Sequence, residues 1–177
     1  MKFSATKIDG VWIVEMDRHE DERGWFARTW CAAEFRQRGL NPNLSQCSAS
    51  FNRRRGTIRG MHYQCAPHEE AKLVRCMRGA IFDVALDVDP QSPTVKQWVG
   101  LTLTPENGTA LYISPGCAHG FQTLADDTEV LYMIAGEFRP ASARGVRWND
   151  PFFSIKWPLS DGITLSPRDA GYPDFSS

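Results

Sequence analysis

Residues 80–88 read AIFDVALDV. Extended as a strand, Phe82, Val84, Leu86 and Val88 fall on one face, and Asp83 and Asp87 on the other. Residues 97–104, QWVGLTLT, repeat the pattern, with Val99, Leu101 and Leu103 alternating with Trp98, Thr102 and Thr104. An apolar period of two cannot be wound into a helix with one apolar stripe, because a helix repeats every 3.6 residues. Further strands are expected at 11–16, 72–78, 110–114 and 128–134. The segments DPQSPT (89–94), TPENG (104–108), SPG (114–116) and ADD (125–127) supply turns between them. Residues 29–38 read as a helix, with Gly39 to end it and Pro42 just beyond. Many short strands with regular turns predict an all-β fold: a sandwich, jelly roll or barrel. Residues 158–177 read as irregular structure wrapped around the domain.

A chain of 177 residues with 42% apolar content suits one domain, residues 1–177, with an ordinary core. Its net charge of −1 gives no global field for nucleic acid or an anionic membrane, so an anionic ligand must be held by local arginines. The five cysteines are odd in number and scattered, with no C-x-x-C, which argues against a disulfide framework or a zinc site. The N-terminal MKFSATKIDGVWIV lacks a signal-peptide pattern, and no apolar run is long enough to span a bilayer. A reducing cytoplasm is the expected compartment.

The segment RGTIRGMHYQ (55–64) places Arg59 and His62 on a strand entering a core. Strand alternation puts Gly60, His62 and Gln64 on one side and Arg59, Met61 and Tyr63 on the other, with Gly60 allowing close backbone approach. A buried arginine needs an anionic partner, so Arg59 argues against plain packing here. Taken singly, other residues have ordinary explanations. Lys72 opens a strand, Arg75 and Arg78 read as surface charges, Tyr132 as packing, Asp169 as a turn residue, and Arg23 as part of a turn. The stretch SPGCAHGF (114–121) resembles the second half of the cupin signature, a Pro-Gly turn followed by His119. Metal-dependent cupins pair that histidine with an H-x-H. Here the matching region reads His62-Tyr63-Gln64, and His68 lies in the next turn, so the ligand set for a metal is incomplete.

Taken in order, RGTIRGMHYQ, KLVRCMRG, FDVALDV, ISPGCAHGF, RGVRWNDP and LSPRD form a series that resembles the dTDP-4-dehydrorhamnose 3,5-epimerase family, from DERGWF to LSPRDAGYP. The resemblance implies a cupin-type double-stranded β-helix, or jelly roll, with short peripheral helices. It also implies a homodimer with no metal and no organic cofactor. The implied substrate is a nucleotide diphosphate 4-keto-6-deoxyhexose, whose ketone acidifies the C–H bonds at C3 and C5. By that resemblance His62 is the base, Asp169 holds its other ring nitrogen, Lys72 stabilises the enolate oxygen at C4, and Tyr132 is the acid on the opposite face. A general acid or base is typically worth ~10²–10⁴ in rate. Arg59 and Arg23 would hold the diphosphate. Gln46 and Phe26 match nucleotide-contact positions, and His119 would line the sugar pocket.

The chain departs from the family pattern at several positions. Arg28 stands where a glutamate is usual, Ser48 replaces an asparagine in Gln46-Cys47-Ser48-Ala49-Ser50, and Glu137-Phe138 replaces a Tyr-Tyr pair. These changes fall where nucleotide and sugar are read, which leaves open a 3-only or 5-only epimerase on a dTDP-, CDP- or GDP-linked sugar. A ketoisomerase, a metal-dependent cupin oxygenase and a non-catalytic sugar-binding cupin are the other readings.

Overall fold

The alternating segment at 80–88 forms a central strand, and the rest of the architecture follows from what covers its two faces. A computed structural model describes residues 1–175. The expected single domain extends over Ser176 and Ser177, which lie outside the described residues. In chain order the strands are β1 (Lys2–Ala5), β2 (Trp12–Glu15), β3 (Arg18–Asp21), β4 (Gly24–Ala27), β5 (Gln46–Asn52), β6 (Ile58–Gln64) and β7 (Ala71–Arg78). They continue with β8 (Ile81–Asp87), β9 (Trp98–Leu103), β10 (Thr109–Ile113), β11 (Cys117–Thr123), β12 (Thr128–Ala135) and β13 (Ala143–Gly145). One antiparallel sheet runs β1-β2-β10-β7-β12-β5, a second runs β13-β6-β11-β8-β9, and β3 pairs with β4 in a separate hairpin. This is the cupin-type jelly roll that the resemblance implied.

The core between the two sheets takes Val74, Leu111 and Val130 from one and Ile81, Ala85, Leu103 and Phe121 from the other. The other face of the five-stranded sheet is also apolar. Val84, Leu86 and Met61 pack there against Phe153 and Ile155 of the C-terminal segment. Both faces of β8 are therefore buried, and Asp83 is fully buried, on the same side as Ile81 and Ala85. The far face of the six-stranded sheet is covered in part by helix α1 (Ala32–Arg36), whose Phe35 packs against Tyr112 and Leu73. That helix is shorter than the expected 29–38. Cys31 gives it no side-chain cap, and Gly39, at φ +71°, lets the chain turn back so that the Leu40 amide bonds to the Phe35 carbonyl.

Two expectations are corrected by this packing. Arg75 is not a surface charge. It shares the sheet face of Leu73 and is only 6% exposed, with one guanidinium nitrogen bonded to the Gly108 carbonyl at 2.7 Å. Burial lowers it to about 10. Residues 158–177 are not wholly irregular, since helix α2 (Pro167–Ala170) lies within them. Ser166 caps α2, accepting from the Asp169 amide at 3.1 Å, and Pro167 occupies its first turn. The α2 segment is anchored to the barrel by the Ile58 amide, which donates to the Thr164 carbonyl at 2.9 Å. Among the described residues no helix is long and apolar enough to cross a membrane.

Candidate active site

Between the sheets opens a cavity of about 640 Å³, within the size range of small-molecule sites. Of the residues expected at a site, His62, Lys72, Tyr132, Asp169, Gln46, Ser48, Arg59, His119 and Phe138 all line it.

Arg59 and His62 share this cavity although simple alternation set them on opposite faces. The cause is a β-bulge. His119 pairs with His62 and Phe121 with Arg59, so two steps along β11 match three along β6. The extra residue falls where Gly60, at φ +138°, crosses Gly120. A Cβ on Gly60 would stand 2.5 Å from the Gly120 Cα. Glycine is required there, as the close-approach expectation held.

His62 has 38% of its side chain exposed, and its Nε2 lies 2.7 Å from Asp169 Oδ1. An ionised carboxylate only accepts, so Nε2 carries the proton and Nδ1 keeps the lone pair. Asp169 is buried. Burial alone would push its carboxyl up, but bonds from His62, the Gly60 amide and Ser166 outweigh that and hold it below the usual carboxylate range.

Lys72 is buried, and its ammonium pairs with Glu70 Oε1 at 3.0 Å and reaches the His62 carbonyl at 3.5 Å. Gln64 donates to the second Glu70 oxygen at 3.1 Å. Glu70 escaped the sequence reading. Its position two residues before Lys72, on the same face of an extended chain, was the available signal.

Tyr132 faces His62 from the other sheet. Removal of its phenol from water pushes it above the ordinary tyrosine range; a bond with Ser50 at 3.2 Å works against that, Asp83 adds to it, and Arg59 opposes it. His119 Nε2 is 2.7 Å from Asp83 Oδ1, and its ring meets Tyr132 edge-on at 6.0 Å. Asp83, whose second oxygen is buried without a hydrogen-bond partner among the described residues, was read only as the polar side of a strand.

Arg23, Phe26 and Arg28 do not line the cavity of their own chain, so their expected substrate contact is not formed within it. The physical reason is the β3–β4 hairpin, which pairs only with itself. Arg23 stands 89% exposed against Asp21, Phe26 is 77% exposed, and Arg28 leans on Glu34 at 3.4 Å. Among the described residues no three His, Cys, Asp or Glu side chains are grouped as a metal site.

An imidazole backed by a carboxylate, a lysine beside it and a phenol on the facing sheet, all inside a jelly roll, define a cupin-fold acid–base site suited to moving protons on carbon. The family model described as dTDP-4-dehydrorhamnose 3,5-epimerase matches residues 5–177, and the chain belongs to that family. It is 38% identical over 173 residues to an enzyme of that name from Sinorhizobium fredii, covering 98% of this chain and 89% of that one. The solved dTDP-4-dehydrorhamnose 3,5-epimerase of Elizabethkingia anophelis superposes with a TM-score of 0.96 at 33% identity, covering 99% and 96% of the two chains. The Legionella pneumophila dTDP-6-deoxy-D-glucose-3,5-epimerase, solved in complex with dTDP-4-keto-L-rhamnose, gives a TM-score of 0.90 at 32% identity, covering 99% of each.

Proposed function

We propose that this protein is an isomerase that converts dTDP-4-dehydro-6-deoxy-D-glucose to dTDP-4-dehydro-L-rhamnose by inverting C3 and C5 through enolate intermediates. The observation that carries the reading is that His62 and Tyr132 face one cavity from opposite sheets. His62 Nδ1 takes the proton from carbon, and Asp169 stabilises the imidazolium that results. The electron pair moves onto the C4 oxygen, where the Lys72 ammonium receives the charge. Tyr132 returns a proton to the carbon from the other face, and the carbonyl re-forms with the stereocentre inverted. Arg59 holds the diphosphate, Gln46 contacts the nucleotide, His119 lines the sugar pocket, and Ser48 and Phe138, also on the cavity wall, contact the substrate where nucleotide and sugar orientation are read. No step requires a cofactor.

We further infer a cytoplasmic homodimer. Arg23, Phe26 and Arg28 contribute to substrate binding only if the hairpin reaches the cavity of a second copy, and the exposure of Trp25 and Phe26 supports that placement. Light scattering tests it: a strictly monomeric protein with full activity sinks the shared site.

The reaction is tested by NMR of the purified protein with dTDP-4-keto-6-deoxyglucose in D₂O. Deuterium entering both C3 and C5 is expected. Entry at C3 alone reduces the enzyme to a single-centre epimerase, and no entry at either carbon overturns the proposal.

A further inference from the structure

Three hydrogen bonds link Arg59 on β6, through Asn52 and Ser50 on β5, to Tyr132 on β12, and chemistry fixes the direction of the first two. Arg59 Nε lies 2.7 Å from Asn52 Oδ1. A guanidinium only donates, so this end of the buried Asn52 amide must be its oxygen. The other end, Nδ2, lies 3.1 Å from the Thr128 carbonyl, which only accepts, and this confirms the amide orientation independently. Asn52 Nδ2 also lies 3.4 Å from Ser50 Oγ, where it can only donate. The Ser50 oxygen is thus an acceptor on that side. Its own proton is then free for its remaining neighbour, the Tyr132 hydroxyl at 3.2 Å.

We propose that Ser50 is a positioning residue that donates to the Tyr132 oxygen, at the end of a one-way donor chain running from Arg59 through Asn52. This rests on the reading of Tyr132 as the proton donor. If the phenol oxygen accepts from Ser50, its own O–H is not spent on the protein and points at the substrate. The same bond stabilises the phenolate left behind when the proton is delivered. The chain begins on the cation that holds the diphosphate, so it joins the anion-binding group to the acid by contiguous contacts. The sequence segment Gln46-Cys47-Ser48-Ala49-Ser50-Phe51-Asn52 makes this possible, because alternation along β5 turns Ser48, Ser50 and Asn52 to one side.

The test separates proton delivery from proton removal. In D₂O, His62 exchanges the substrate C–H, and only delivery from the opposite face inverts the centre. Ser50→Ala should raise the ratio of exchange with retention to inversion about tenfold, the worth of one net hydrogen bond in a rate. Ser50→Thr, which keeps the hydroxyl, should restore the parent ratio. Ser50 is partly exposed on edge strand β5, so the alanine variant is expected to fold; its circular dichroism and melting temperature check this. If Ser50→Ala slows exchange and inversion equally, the residue is merely structural and the proposal is overturned. If the parent protein turns over no 4-keto sugar, the epimerase reading fails and this inference falls with it. Parent turnover with an unchanged ratio in the variant strikes the donor chain alone.

Discussion

On the β6 wall of the cavity the proposed base is a half-exposed imidazole with a buried carboxylate behind it; on the β12 wall the proposed acid is a phenol pushed above its ordinary range. The walls differ because the two groups change charge in opposite senses. The base becomes a cation when it works, so an ionised partner, Asp169, lowers the energy of its working state. The acid must keep its proton until the enolate forms, so removal from water suits its resting state, and a neutral donor, Ser50, suits its departure. A carboxylate directly behind Tyr132 would raise the cost of forming phenolate. Asp83, the buried carboxylate on β8 that adds to the upward push on Tyr132, is instead engaged by His119 at 2.7 Å.

The comparison breaks most visibly at the base. His62→Ala should lower turnover about 10⁴-fold, and because it also takes from the buried Asp169 carboxylate its main partner, some loss of melting temperature should accompany it. Exchange of substrate protons with D₂O should vanish together with inversion. A variant that still exchanges at a tenth of the parent rate would move the base elsewhere. Tyr132→Phe should act differently, lowering inversion about 10³-fold while exchange continues. Equal loss of both would mean that the phenol serves the first half of the reaction as well as the second, and the division of labour between the walls would be wrong.

The β6 wall depends on its backbone crossing, and Gly60→Ala probes that directly. The added Cβ meets the Gly120 backbone at 2.5 Å, in a conformation that favours glycine, so about 3 kcal/mol of destabilisation is expected in urea unfolding. An unchanged midpoint would show that the bulge does not set the placement of Arg59 beside His62.

That bulge also marks the limit of what the sequence discloses. Alternation in AIFDVALDV and QWVGLTLT is a local property, and it located β8 and β9 to within a residue or two. The close approach at Gly60 was legible as well, because only a missing side chain permits it. That Arg59 and His62 share a face was not legible, since it depends on one extra residue in β6 relative to β11, and register is a property of two strands together. The burial of Arg75 escaped for a similar reason, being decided by what lies across the sheet. Helix α2 was missed although Ser166-Pro167-Arg168-Asp169 carries a cap, a first-turn proline and an acidic residue in the first turn. The four residues assigned to chemistry came from resemblance to a family. Their assembly in one cavity is a tertiary fact, and so is the absence of Arg23, Phe26 and Arg28 from it.

The smallest expected effect separates the walls by acid. Asp169 is held below the usual carboxylate range in the folded chain and titrates near 3.9 when unfolded. A depressed folded value means that its contribution to stability is fully present above the unfolded value and is lost as pH falls through the folded one. Asp169→Asn lacks that contribution at any pH. The gap in urea midpoint between parent and variant should therefore be wider at pH 5 than at pH 3, and both values lie below the range where an imidazole ordinarily titrates. Tyr132→Phe offers the control from the other wall. A phenol is neutral in both states at acid pH, so its gap to the parent should be the same at pH 5 and pH 3. If the Asp169→Asn gap were equally flat, the carboxylate behind His62 would not be held in its ionised form. The β6 wall would then be, like the β12 wall, a neutral arrangement, and the imidazolium formed during turnover would lack the counter-charge assigned to it.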